Sequence, residues 1–403
     1  MRNRIIFLLA FFALAYSVQA AIVIPFSSPE NSYQAISEFI RDSEKSVYIS
    51  VYTFTDYQLA QEIAENSRTG KKIKILIEGS PAADSIDKGL MCYLENNLVE
   101  VYIYRGDLKF LHAKYIIRDE RSVLVTSENF GPDSFHKNRG WGLEVEDKNL
   151  AMDLVSIFEE DLAKSEAINC EDIKGELTFS KNPVGKYDFT QYKSDGLKLI
   201  KAPGAVQGVL DFLDGANESI YIEQFYIYPR WGSKGNLFLE KVIEKAEKGV
   251  NVKIILDSNY YNLDKKGETS NFYTAEYIKQ VMSEKQIPID VKLADLEKLG
   301  FSKIHAKGVI IDNKSVLVSS INWNENSPRN NREIGVIAEG PVADYFVGKF
   351  FTDWGTGVHE GRNGSPHTGK AAVKDYSLSI MQILLFTVFT AAIMVAIKKR
   401  FRS

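Results

Sequence analysis

Histidine and cysteine are both scarce in this chain: its 403 residues include five histidines and two cysteines. Neither type clusters at the spacing of metal ligands, so no metal centre is expected, and His136, His359 and His367 read as surface or stalk residues. Charge of one sign is also lacking. The 49 Lys and Arg against 53 Asp and Glu leave a formal net charge of −4, which argues against broad nucleic-acid binding because such surfaces are usually basic.

Long hydrophobic runs stand at the two ends. Arg2 and Arg4 precede an apolar run over residues 5–15, and Val18-Gln19-Ala20 has the form of a cleavage site, so residues 1–20 read as a signal peptide. Residues 378–397 are apolar over about twenty positions, enough to span hydrocarbon, and Lys398-Lys399-Arg400-Phe401-Arg402 follows at once. The positive-inside rule then places the tail in the cytoplasm and the rest of the chain outside, on a single-pass membrane protein. The predicted organisation is a signal peptide (1–20), a first lobe (21–174), a linker (175–196), a second lobe (197–354), a stalk (355–376), a transmembrane helix (377–397) and a short tail (398–403). Cys92 and Cys170 both fall in the first lobe. In a secreted chain an even pair suggests a disulfide, worth about 4 kcal/mol for a loop of this length, with two buried free thiols as the alternative.

The scarce histidines carry the strongest signal. Leu111-His112-Ala113-Lys114, running to Asp119, returns as Ile304-His305-Ala306-Lys307, running to Asp312. Each copy leads to a polar tetrad, Thr126-Ser127-Glu128-Asn129 and Ser319-Ser320-Ile321-Asn322, and every element of the second copy lies 193 residues after its counterpart. Alternate residues of a strand face the same side, so His and Lys project together while Ala packs away. The apolar runs on either side of Asp119 and Asp312 predict a hairpin in each copy, with Asn129 and Asn322 leaving the second strand near the His and Lys of the first. Imidazole, ammonium and amide suit a phosphate: Lys supplies charge, Asn donates a hydrogen bond, and His attacks or transfers a proton. Asp119 and Asp312 are assigned a structural role at the hairpin turns, and Ser127 and Ser320 a structural place within the motif.

The duplication extends further. Ser46-Val47-Tyr48-Ile49 echoes Ser219-Ile220-Tyr221-Ile222, and the run 73–78 echoes 252–257. Each half alternates strands and helices and closes with a helix, which predicts an α/β fold of two similar lobes, each a mixed sheet flanked by helices, plus one C-terminal transmembrane helix. These motifs resemble the phospholipase D superfamily, and the likeness covers the region between the two ends. The resemblance implies a two-step phosphodiester exchange without cofactor or metal: His112 forms a phosphohistidine, His305 serves as acid and then base, and Lys114, Lys307, Asn129 and Asn322 hold the phosphoryl oxygens. It also makes Glu333 the carboxylate that orients a catalytic histidine. The counterpart of Glu333 is Gly140, so either Glu144 or another acid substitutes in the first copy, or the two histidines are inequivalent.

Family members act on phospholipids or cut nucleic acids. Membrane tethering and the aromatics Phe110, Trp141, Phe225, Tyr226 and Trp323 near the motifs favour a membrane-anchored hydrolase of phospholipid phosphodiesters, acting on hydrolysis or transphosphatidylation. An extracellular nuclease is the alternative, and a non-catalytic phosphate-binding protein a more distant one. Arg105, Lys109, Arg139, Arg329 and Arg332 form a candidate basic rim, and no obligate protein partner is implied.

Overall fold

The computed structural model describes residues 20–81, 86–171, 189–263 and 267–355. Strands form where β-branched and aliphatic residues run together, as in Lys72–Ile77 and Asn251–Leu256, and most of these side chains are buried. Near-continuous apolar strands of this kind belong in a sheet covered on both faces. Helices begin at side-chain caps: Asp56, Asp87 and Asp147 each accept a backbone N–H from the first turn of the helix that follows.

The two lobes share one strand order. In the first, parallel strands Glu100–Tyr104, Lys72–Ile77 and Ser46–Val51 continue antiparallel through Tyr115–Arg118, Ser122–Thr126, Asn138–Glu146 and Ile22–Ser28. In the second, Ile289–Leu293, Asn251–Leu256 and Ser219–Gln224 continue through Lys307–Ile311, Ser315–Ser319, Glu333–Glu339 and Gly196–Ala202. Each lobe has an outer core on one face of its sheet. A third core is shared: Trp141, Leu143 and Phe158 of the first lobe pack with Ile310, Phe346, Phe350 and Trp354 of the second. Helices Lys148–Leu162 and Val342–Trp354 lie in this shared layer, so the lobes form one compact unit rather than two beads on a linker. Cys92 and Cys170 form a disulfide with a Cα–Cα distance of 5.6 Å, tying the helix Lys88–Glu95 to the segment after the edge strand Ser165–Ala167.

Reciprocal contacts dock the lobes around the histidines. The short strand Lys303–Ile304 adds in parallel to the first lobe's Asn138–Glu146, and a matching bridge joins Leu111 to Arg332. As a result the His305 N–H donates to the Arg139 carbonyl at 2.7 Å, and the His112 N–H donates to the Arg332 carbonyl at 2.9 Å. Each of these arginines is buried and crosses to the other lobe's closing helix: Arg139 to Asp353 at 2.6 Å, Arg332 to Asp161 at 2.7 Å. Neither histidine loop reaches its place without the opposite lobe.

The expectation of a membrane-anchored, single-pass chain requires correction. Among the described residues no helix is long and apolar enough to cross a membrane. Residues 1–19, most of the expected signal peptide, and 377–397, the expected transmembrane segment, lie outside the described residues, as do most of the linker, the stalk and the tail. The fold is therefore two α/β lobes, without a spanning helix in the structure described.

Candidate active site

His112 and Lys114 lie just before the strand Tyr115–Arg118, and His305 and Lys307 lie just before and at the first residue of Lys307–Ile311. The intervening Ala113 and Ala306 are buried, as the alternation requires. Lys114 donates its ammonium to the His112 carbonyl, and Lys307 to the His305 carbonyl, at 2.6 Å in the second case. Burial pushes the His305 pKa well below its ordinary value, and the two half-sites are close enough that Lys114 and His112 add to this. Asn322 is buried and Asn129 partly so, and the side-chain oxygen of each lacks a hydrogen-bond partner.

Asp119 and Asp312 stand at the far ends of their strands. Asp119 accepts the backbone N–H groups of Glu44, Lys45 and Ser46, and Asp312 those of Asn217, Glu218 and Ser219. Both residues adopt positive φ, 53° and 54°, at the hairpin turn, and the three N–H groups hold both carboxyls below the usual carboxylate range. These bonds fix the hairpin to the loop before the central strand and leave neither aspartate near the histidines.

Glu333 lies behind His112. Its carboxylate meets the His112 Nδ1 at 2.8 Å across the lobe boundary and also accepts Ser320 Oγ at 2.6 Å, Ser327 Oγ at 2.6 Å and Asn331 Nδ2 at 2.9 Å. Burial opposes its charge, but His112, Lys114 and these donors outweigh burial and hold its pKa below the ordinary value. An ionised Glu333 only accepts, so His112 must carry its proton on Nδ1, which leaves the Nε2 lone pair free. Burial, aided by Lys114, lowers the His112 pKa to about 4 and keeps the ring neutral near pH 7.

Gly140 occupies the place that corresponds to Glu333, and Glu144 does not substitute for it. Glu144 pairs with Arg118 at 3.0 Å. The acid that faces His305 is Glu128, with Oε2 3.3 Å from Nδ1, fully buried and raised by that burial to about 7. This contact meets the distance for an ion pair but lacks the alignment of a hydrogen bond, since His305 Nδ1 has no hydrogen-bond partner. Ser127 accepts the Trp141 backbone N–H at 3.0 Å, as its counterpart Ser320 accepts that of Ile334 at 3.1 Å.

Two further sets of residues complete the site. Tyr52 sits edge-on to His112 and Phe225 edge-on to His305, each with ring centroids 4.8 Å apart, and Lys114 and Lys307 each lie 5.1 Å from the same aromatic ring. Glu78 accepts the N–H of Leu111, and Asp257 that of Ile304 at 2.7 Å, so a carboxylate at the end of the neighbouring parallel strand anchors the residue before each histidine. Tyr52 precedes Phe225 by the same interval that separates Ser46 from Ser219, which is the signal that would have identified it.

Two of the five residues of the candidate basic rim are withdrawn, and Arg105, Lys109 and Arg329 stay exposed. Arg139 and Arg332 are buried in the ion pairs between lobes, and Arg105 pairs with Glu166 at 3.5 Å. Lys109 and Arg329 remain exposed beside an open cleft of about 400 Å³ that also includes Lys164. Among the described residues no group of His, Cys, Asp and Glu could hold a metal ion.

The chemistry of the set suits a phosphate. Burial depresses the Lys114 pKa to about 7 and pushes Lys307 well below its ordinary value. The negative charge of a phosphodiester anion at this place would favour the ammonium forms.

Comparison with known proteins agrees with this geometry. The family description "Cardiolipin synthase, PLD-like domain" matches residues 36–162 and 209–354, one stretch in each lobe. The DISARM protein DrmC of Bacillus paralicheniformis is 33% identical over 103 residues, 25% of this chain and 38% of that protein. The major cardiolipin synthase ClsA of Bacillus subtilis is 27% identical over 154 residues, 36% of this chain and 32% of that protein. The aligned regions thus span only about a third of these curated relatives. Among solved structures, the phosphatidylserine synthase of Haemophilus influenzae superimposes with a TM-score of 0.55 over 83% of this chain and 85% of that one, at 16% identity, which is a likeness of fold. With its family match falling on both lobes and covering more than half its length, the chain belongs to the cardiolipin synthase, PLD-like domain family of phospholipase D-like enzymes.

Proposed function

We propose that the chain is a phospholipase D-type phosphodiesterase that cleaves or exchanges phospholipid phosphodiesters through a phosphohistidine. The observation that carries this reading is the His112–Glu333 pair: a neutral imidazole, its Nδ1 proton committed to a buried carboxylate, beside a second histidine and two buried lysines. In the first step the His112 Nε2 lone pair attacks phosphorus and the bond to the leaving oxygen breaks. His305, neutral by burial until the phosphodiester anion favours its charged form, takes up a proton as the ligand binds and gives it to that oxygen. In the second step His305 removes a proton from water or an alcohol, whose oxygen attacks phosphorus and releases His112. Lys114 and Lys307 offset the charge that builds on the phosphoryl oxygens, with the amides of Asn129 and Asn322 as further donors. The name of the relative ClsA, a cardiolipin synthase, supports phospholipid as the substrate class.

The test is to incubate the purified chain, in chelator, with phospholipid vesicles and with single-stranded DNA side by side. Release of head group or transfer to an added alcohol is the expected result. Cleavage of DNA with no lipid turnover replaces the substrate assignment with a nuclease, and inertness toward every phosphodiester overturns the reading.

A further inference from the structure

We propose that Glu128 is the positioning residue for His305, and that it reaches from the polar tetrad into the place that Glu333 fills from a strand in the other half-site. The inference rests on the phosphodiesterase reading, but its observations are independent of substrate. Glu128 and Gly140 correspond to Ile321 and Glu333, so each lobe carries one glutamate in this pair of positions and each has it at a different one.

The space confirms that the two arrangements exclude one another. A Cβ on Gly140 would lie 2.3 Å from Glu128 Cγ and 2.6 Å from its Oε1, so the Glu128 arm occupies the volume that a side chain at 140 would need. The surrounding donors are otherwise repeated. Ser327 and Asn331 hold Glu333, and their counterparts Ser134 and Asn138 both stabilise the charged form of Glu128, with Asn138 Nδ2 at 3.3 Å from Oε2. Both carboxyls are fully buried, and both face the Nδ1 of a histidine from the opposite lobe.

A purely structural role explains Glu128 poorly. Burying a carboxyl is costly unless its lone pairs are matched, yet Glu128 Oε1 has no hydrogen-bond partner. What the position does offer is an acceptor for the Nδ1 proton of His305, which would direct Nε2 at the phosphate. Carboxylates that act through histidine in this way are worth orders of magnitude in rate while leaving the site otherwise intact.

The experiment compares Glu128→Ile, Glu128→Gln and the double variant Glu128→Ile/Gly140→Glu, which transplants the arrangement of the second lobe into the first. Hydrolysis of bis(4-nitrophenyl) phosphate supplies kcat, KM and the pH profile. Side-chain ¹⁵N NMR of His305 reports its tautomer without reference to turnover. The expected result is a fall in kcat on the order of 10²-fold or more for Glu128→Ile with KM little changed. The double variant regains at least tenfold, and the Nδ1-protonated tautomer is lost in the single variant and restored in the double. A folded Glu128→Ile that keeps more than about a third of kcat and the wild-type tautomer overturns the proposal, as does a folded double variant no better than the single by both measures. Should Glu128→Ile not fold, Glu128→Gln decides: an altered pH profile is expected, and a wild-type profile and kcat refute the role. If the wild-type chain hydrolyses no phosphodiester, the proposed function fails while the tautomer comparison still judges Glu128.

Discussion

The carboxylate behind His112 and the one behind His305 sit in matching places and have opposite character. Glu333 takes donors from His112, Ser320, Ser327 and Asn331 and is held below the ordinary carboxylate pKa. Glu128 has a long contact to His305, one unmatched oxygen and a pKa raised to about 7. The first pair is fixed as neutral imidazole and carboxylate, which suits a nucleophile. The second pair is looser: burial holds the His305 ring well below its ordinary pKa, and Glu128 is raised to about 7. The two lobes thus keep one frame and differ in how well the carboxylate behind each histidine is hydrogen-bonded.

Replacing the histidines breaks the comparison most severely. His112→Ala and His305→Ala should each lower turnover by about 10³-fold or more, since each removes a reacting group. They should differ in what accumulates. With a phosphodiester whose leaving group needs no protonation, His305→Ala still forms phosphoryl-protein, and His112→Ala does not. Mass spectrometry of acid-sparing quenches reads this directly. Adduct in the His112 variant and none in the His305 variant would exchange the two roles.

The reciprocal arginines offer the next largest effect. Breaking a buried pair by removing one partner costs about 3–5 kcal/mol, and Arg139→Met and Arg332→Met should both fall in that range by urea unfolding. The two are not equal in surroundings. Arg332 leaves Asp161 behind with the partly exposed Glu160, whereas Arg139 leaves Asp353, Glu30 and the nearby Glu223. Arg139→Met is therefore expected to be the more destabilising of the two, because Glu30 is less exposed than Glu160 while the protonated Glu223 adds no charge, and equal losses would show that this difference in exposure carries no weight.

Much of the frame was readable in sequence because duplication leaves a constant interval that chance does not. The interval from His112 to His305 recurs at the aspartates and asparagines, and strand runs such as 73–78 and 252–257 follow from apolar pattern alone. Glu333 was legible only through the family resemblance, since the interval leads from it to Gly140. Glu128 was not, because its function depends on an empty volume at Gly140, and a vacancy has no residue type to read. The arginines misled in the same way: a charged residue beside a motif looks like a rim until the opposite lobe's helix covers it, and only the packing of Lys148–Leu162 and Val342–Trp354 between the sheets shows that it does. The apolar ends pointed to a membrane span by composition, whereas the helices described are amphipathic or short and serve the two sheets.

The smallest expected effect again separates the lobes. Glu223 and Ser50 correspond through the same interval as Ser219 and Ser46, but Glu223 places a fully buried carboxyl with no donor on either oxygen against Asp353, with Arg139 from the strand Asn138–Glu146 and Glu30 from the first turn facing the same cluster, and Lys349 beside Asp353. Burial, then repulsion from Asp353, raises its pKa well above the ordinary carboxyl value, so Glu223 stays protonated and can donate to Asp353. A raised folded-state pKa means that the folded chain binds more protons than the unfolded one above about pH 4.5, and its contribution to stability is complete below that pH and declines as pH rises toward the folded value. Glu223→Gln keeps a donor for Asp353 and removes the titration. The variant should match the wild type in acid and become progressively more stable than it as pH rises, by a few degrees in midpoint temperature for a unit of this size. Thermal unfolding of both proteins at a series of pH values measures the difference, and a gap that stays constant with pH, or narrows, would mean that Glu223 is already ionised in the fold.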